Sequence, residues 1–149
     1  KKAEIRVVLT TLHVNLGTFS PLSEELFKKS KLHSEYFEIS KESAGILNEA
    51  KKKELPIIAV GTTVARTLES ASNKSGSITK LKGETDIFIK EGYKFRFVDG
   101  LITNFHVPKS SLLMLVSAFA GRKNILDIYR KAIKKKFRFF SFGDGMLIL

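Results

Sequence analysis

A compact apolar run that passes straight into a helix start constrains this chain more than any other feature. Pro56 to Val60 reads Pro-Ile-Ile-Ala-Val, and Gly61-Thr62-Thr63 ends that strand and opens a helix running past Leu68. Upstream, His33 to Ile39 alternates as a strand does. Ser40 is placed to cap a helix reaching about Lys53, with Ile46, Leu47 and Ala50 on its inner side. Strand, helix, strand, helix from His33 to Leu68 predicts a parallel α/β unit. The expected fold class is therefore mixed α/β with a largely parallel sheet and flanking helices.

The remaining elements fit around that unit. Ile5 to Leu12 is β-branched and apolar, as a buried strand is, and Gly17, Ser20 and Pro21 break it into a loop. Ser23-Glu24-Glu25 opens a short helix through Lys29. Asn73 to Gly83, rich in Ser, Lys and Gly, reads as a loop or mobile segment. Thr85 to Ile89 and Tyr93 to Val98 read as a strand pair joined by Glu91-Gly92. Ser110 or Ser111 caps a helix whose stripe is Leu112, Leu115, Val116 and Phe119. After Gly121 a second helix carries Ile125, Ile128, Tyr129, Ala132 and Ile133 at the same spacing. Phe137 to Phe142 and Met146 to Leu149 read as strands around the turn Gly143-Asp144-Gly145.

Length and charge narrow the function. The chain has 149 residues, enough for one domain with a real core. It has no cysteine, so disulfides, thiolate metal sites and cysteine nucleophiles are excluded. The three histidines His13, His33 and His106 lack ligand spacing, and no metal site is expected. No apolar run approaches the roughly 18 residues of a membrane span, and the start does not read as a signal peptide. A cytoplasmic location without membrane contact is expected. Against 15 Asp and Glu stand 26 Lys and Arg, a net charge of +11. That field attracts polyanions, nucleic acid first among them, although lysine-rich faces also serve simply as solvated surface.

Four segments carry groups suited to chemistry. Gly61-Thr62-Thr63 opens a helix, where free N–H groups and the dipole favour an anion, and Arg66 lies one turn further on. The structural alternative is an ordinary turn and cap. His13 to Phe19 follows a strand, with Gly17 permitting close approach and His13 and Thr18 offering polar atoms. His33 and Glu35, at i and i+2 on a strand, are expected to share one face as an acid–base pair. The densest polar run is Thr103-Asn104-Phe105-His106-Val107-Pro108-Lys109-Ser110, stiffened by Pro108 before an apolar helix. Lys109 stands where the helix dipole disfavours a cation, which suggests that it serves an anion. Beyond these, Arg130, Lys131, Lys134, Lys135, Lys136 and Arg138 interleave with Phe137, Phe139 and Phe140. The cations are candidates for RNA phosphates, while the phenyl rings read as core.

Taken together, these segments resemble the S-adenosylmethionine:tRNA ribosyltransferase-isomerases of queuosine synthesis. The matching stretches are Thr11 to Phe19, His33-Ser34-Glu35, Ile58 to Thr63 with Arg66 to Glu69, Thr85 to Ile89, Gly92-Tyr93, Thr103 to Gly121, and Phe139 to Asp144. The resemblance covers nearly the whole chain, and the block from Thr103 to Gly121 is its most specific part. The family usually has glycine at Asn15, proline at Glu91, leucine at Val107 and alanine at Gly145.

Family members are roughly twice this length, above the size of one ordinary domain. The resemblance implies a main α/β domain around a barrel-like sheet and a smaller β-barrel domain. Residues 1–149 would then be the C-terminal portion of the main domain, without the N-terminal half and most of the small domain. It also implies the reaction: the ribosyl part of S-adenosylmethionine is transferred and isomerised onto 7-aminomethyl-7-deazaguanine at the tRNA wobble position. Epoxyqueuosine forms, and adenine and methionine leave. S-adenosylmethionine is a consumed substrate, so no cofactor is expected; tRNA is the partner, and a monomer is expected.

On this resemblance His106 is the first candidate for proton transfer, with His33 and Glu35 as the alternative pair. His13, Gly17, Thr18, Thr62, Thr63, Arg66, Thr103, Asn104, Phe105, Lys109, Ser110 and Asp144 are the expected substrate-binding residues. Thr62, Thr63 and Arg66 would take the methionine carboxylate or an RNA phosphate. The competing reading is a basic tRNA-binding module without catalysis of its own. A methyltransferase-like enzyme ranks lower, because no Gly-rich loop follows the first strand.

Overall fold

The computed structural model describes residues 5–14 and 24–149. In chain order the elements are β1 (Thr11–Leu12), α1 (Glu24–Lys29), β2 (Lys31–Glu38), α2 (Lys41–Lys52), β3 (Ile58–Val60) and α3 (Thr62–Ala71). There follow β4 (Lys82–Ile87), β5 (Gly100–Asn104), α4 (Ser111–Ala120), α5 (Arg122–Lys134) and β6 (Gly145–Ile148).

The helix starts follow the sequence closely. Ser40 caps α2, its hydroxyl accepting from the Ser43 N–H at 3.0 Å. Ser110 caps α4 in the same way, accepting from the Leu113 N–H at 3.2 Å. On α4, Leu112, Leu115 and Val116 are buried and Phe119 is half-buried against Phe95. On α5, Ile125, Tyr129 and Ala132 are buried. Ile128 and Ile133, expected on the same inner stripe, are exposed instead.

The sheet is neither barrel-like nor largely parallel. Two separate three-stranded sheets form, in the orders β1-β2-β4 and β3-β5-β6. Among the described residues only β3 and β5 pair in parallel; β1–β2, β2–β4 and β5–β6 are antiparallel. The expected unit from His33 to Leu68 is thereby split, with β2 in one sheet and β3 in the other. The alternation within β2 already carried this information. A strand with one wet face belongs to an antiparallel sheet, whereas parallel strands covered on both faces read as continuous apolar runs. Helix α3 lies against strands of both sheets and joins their cores. Its buried side combines Ala65, Leu68 and Ala71 with the polar Arg66, Thr67 and Glu69.

Three further segments depart from expectation. Of Ile5 to Leu12 only Thr11 and Leu12 are strand, and Ile5, Val7 and Leu9 point outward because nothing among the described residues covers them. Residues 93–98 form no strand. A buried carboxylate takes their N–H groups instead: Glu69 accepts from Arg96, Phe97 and Val98 N–H at 3.0 to 3.2 Å and from the Tyr93 hydroxyl at 2.9 Å. Residues 137–142 likewise form a pinned turn. Of the expected loop 73–83, Lys82 and Gly83 already belong to β4, and the part before them is anchored, since Asn73 Oδ1 accepts from Ser75 and Ser77 N–H at 3.0 Å.

Candidate active site

The parallel pair of β3 and β5 decides where the polar segments meet. Val60 pairs with Ile102, and the Gly61 N–H donates to the Ile102 carbonyl at 2.8 Å. Thr62 and Thr103 therefore lie at the same, carboxyl end of β3 and β5, Thr62 just past its strand and Thr103 among the last residues of β5 to pair with β6. Strand β6 runs the other way and pairs Gly145 with Asn104, so Gly143 and Asp144 reach that end as well. The carboxyl ends of parallel strands are where α/β sheets hold ligands. Fold topology thus gathers Gly61-Thr62-Thr63, Thr103 to His106 and Asp144.

Each segment is fixed by its own contacts. Gly61 adopts φ 101°, a left-handed conformation that favours glycine, and gives α3 no side-chain cap. The first-turn N–H groups of α3 therefore present a positive helix end without a capping oxygen. Thr62 and Thr103 are buried. Thr103 Oγ1 and His106 Nε2 lie 3.1 Å apart, and either can donate. The His106 N–H donates to the Tyr129 hydroxyl at 2.8 Å. Burial pushes the His106 imidazole down to about 4, so it is neutral at physiological pH. The expectation that it titrates near neutrality is corrected by its surroundings. Burial likewise raises the Tyr129 phenol, which keeps that hydroxyl a neutral partner for the His106 backbone.

Several expected ligands prove to be fasteners. The Asn104 amide donates to the Gly143 and Asp144 carbonyls at 3.2 and 3.4 Å. Asp144 accepts from the Arg138 N–H at 2.7 Å and from its guanidinium at 3.1 Å; the Arg138 hydrogen bonds hold its carboxyl below the usual range. Phe105 is buried among Tyr129, Phe137 and Phe139. The Ser110 hydroxyl both caps α4 and donates to the Val107 carbonyl at 2.8 Å. Lys109 is exposed with φ 58° in the turn before α4, so its placement follows the turn.

The anticipated His33–Glu35 pair does not form. A register irregularity between Lys31 and Glu35 breaks the alternation, leaving His33 exposed and Glu35 only 2% exposed. Glu35 faces Arg66 instead, Oε2 to Nη2 at 2.5 Å, with both side chains buried. Arg66 is thus an ion-pair partner within the core and not a surface anion ligand beside Thr62. His13 lies exposed at the edge of the other sheet, its ring 5.6 Å from that of Tyr36. Gly17 and Thr18 lie outside the described residues. Arg130, Lys131, Lys134, Lys135, Lys136 and Arg138 are all exposed, on α5 and the turn that follows it.

Sequence reasoning missed Tyr129 and Glu69. A lone tyrosine within the apolar stripe of α5 was the available signal for the first, since a buried phenol needs a partner. The second, a glutamate on the inner side of α3, carried no local signal, because its four donors come from residues 93–98.

The comparisons with known proteins settle the family. A family profile described as "Queuosine biosynthesis protein" matches residues 1–148. The chain belongs to that family. It is 54% identical over 145 residues to an S-adenosylmethionine:tRNA ribosyltransferase-isomerase of Caldanaerobacter subterraneus subsp. tengcongensis, covering 97% of this chain and 42% of that protein. A protein of the same description from Halothermothrix orenii is 54% identical over 149 residues, covering 100% and 44%. The crystal structure of S-adenosylmethionine tRNA ribosyltransferase from Thermotoga maritima superposes with a TM-score of 0.70 at 44% identity, covering 77% of this chain and 40% of that one. The chain thus spans less than half the length of the curated relatives it matches. Among the described residues no helix is long and apolar enough to cross a membrane.

Proposed function

We propose that this chain forms the C-terminal portion of the main domain of an S-adenosylmethionine:tRNA ribosyltransferase-isomerase, working as a cytoplasmic monomer. The observation that carries the reading is the convergence of an uncapped helix start, His106 and the Asn104–Asp144 fastening at the carboxyl end of the parallel pair, in a member of the queuosine family. The substrates are S-adenosylmethionine, consumed as ribosyl donor, and a tRNA carrying 7-aminomethyl-7-deazaguanine at the wobble position. The products are epoxyqueuosine in tRNA, adenine and methionine.

In this reading the α3 N-terminus, with Thr62 and Thr63, takes the methionine carboxylate, because backbone N–H groups and the helix dipole both favour an anion there. The donor's sulfonium withdraws electrons from the ribosyl 5′ carbon and acidifies its C–H. His106 accepts that proton. Burial keeps the imidazole in the unprotonated form a base requires but lowers its basicity, so only a carbon acidified by the sulfonium gives up its proton to it. Ring opening then expels adenine, the aminomethyl amine attacks the sugar, and epoxide closure expels methionine.

The test follows adenine release from S-adenosylmethionine by the full-length protein with modified tRNA. His106→Ala should lower turnover at least about 100-fold with tRNA binding unchanged. The wild type should show no acid limb from this histidine above about pH 5. Near-normal turnover in the variant would remove His106 from the chemistry, and release of S-adenosylhomocysteine would replace the reaction by methyl transfer.

A further inference from the structure

We infer that the turn at residues 137–144 is a stacking platform for unpaired nucleic-acid bases, with Phe142 and Phe140 as its rings. The inference rests on the tRNA reading above and names a recognition element within it.

The rings are placed outside the core. Phe142 is 98% exposed and Phe140 55%. Phe139, just before Phe140 in sequence, turns inward against Phe105 and Tyr129, so the turn sorts its phenyl groups between two faces. The expectation that Phe140 belongs to the core is thereby corrected.

The backbone that displays these rings is held at many points. The Phe140 N–H donates to the Phe105 carbonyl at 2.9 Å and the Gly143 N–H to the Phe140 carbonyl at 3.0 Å. The Asp144 N–H donates to the Arg138 carbonyl at 2.8 Å, and the Asp144 carboxylate receives the Arg138 N–H. Phe140 itself has φ 70°, a conformation seldom adopted by bulky residues. A Cβ on Gly143 would lie 2.5 Å from the Arg138 and Phe139 carbonyl oxygens, so the turn closes only around glycine. A backbone fixed in advance leaves only the rings' own rotations to be lost on meeting a flat partner.

Charge identifies that partner. Between positions 130 and 144 the sequence carries six cations and one acid, Asp144, which Arg138 already engages. Lys134, Lys135 and Lys136 lie exposed just before the rings. A protein surface docking here would need acids to match them. An unpaired nucleotide supplies both requirements at once: a planar base for the ring and a phosphate for the cation. Duplex RNA offers the phosphates but hides the faces of its bases. The Asn104 and Phe105 contacts join this turn to the candidate active site, so the bases it holds are those flanking the modified nucleotide.

The experiment measures binding of the full chain by fluorescence anisotropy. The ligands are a labelled anticodon stem-loop and a fully paired RNA duplex of equal charge. Phe142→Ala should weaken stem-loop binding roughly tenfold and change duplex binding by less than about twofold. Its melting temperature should match that of the wild type, because the ring touches solvent. Phe142→Trp should restore binding, and its emission should be quenched by the stem-loop alone. Unchanged stem-loop binding in Phe142→Ala, with binding lost in a Lys134→Ala/Lys135→Ala/Lys136→Ala variant, overturns the platform and leaves the tRNA reading intact. A lowered melting temperature without a change in RNA affinity overturns it in favour of a ring that packs on protein. Absence of RNA binding by the wild type overturns both.

Discussion

Glu35 and Arg66 illustrate how a side chain's neighbours decide its chemistry. Both were candidates for work on a substrate, and each is consumed by the other inside the core. Removing one partner of a buried pair strands a charge, at a cost of about 3–5 kcal/mol. Replacing both with apolar groups of similar volume is often harmless, since the desolvation penalty disappears with the charges. Glu35→Gln should therefore lower the urea midpoint sharply, and Glu35→Leu combined with Arg66→Met should recover most of the loss. A Glu35→Gln protein of unchanged stability but without turnover would return the carboxylate to the active site.

At the scale of elements, local signals were legible where they act alone. Ser40 and Ser110 set two helix starts because a hydroxyl at that position needs only the next turn of backbone. The misread segment 93–98 failed for the opposite reason: its N–H groups are satisfied by Glu69, 27 to 29 residues away. No periodicity within the segment could announce such a partner. The candidate site divides the same way. The polar run Thr103 to Ser110 stood out in sequence, but which members bind and which fasten depended on the turn at 143–144. Because Glu69 gathers three backbone donors and a phenol, Glu69→Gln should destabilise the protein by about 3 kcal/mol or more. Urea denaturation would measure this, and early proteolytic cutting near residues 93–98 would show where the structure opens. Equal stability would mean that the donors find other acceptors.

For the whole molecule, the open face of the second sheet matters most. Val60, Ile102 and Leu147 lie side by side across its three strands and are 65%, 40% and 58% exposed. The opposite face, with Ala59, Leu101 and Ile148, is buried. An uncovered apolar row of this kind binds hydrophobic dyes and limits solubility. Val60→Lys with Leu147→Lys should reduce dye fluorescence and raise the solubility limit without lowering the thermal midpoint. A lowered midpoint would show that the row contributes to the fold of this chain.

Strand β5 has neighbours on both edges, β3 and β6. Backbone amides in such a strand exchange with solvent slowly, because both ladders must part before water reaches them. His106 follows two residues after that strand and so hangs from a part of the protein that opens late. The imidazole is a fixed anvil: whatever motion admits a ligand to it must come from the pieces around that strand and not from the strand itself.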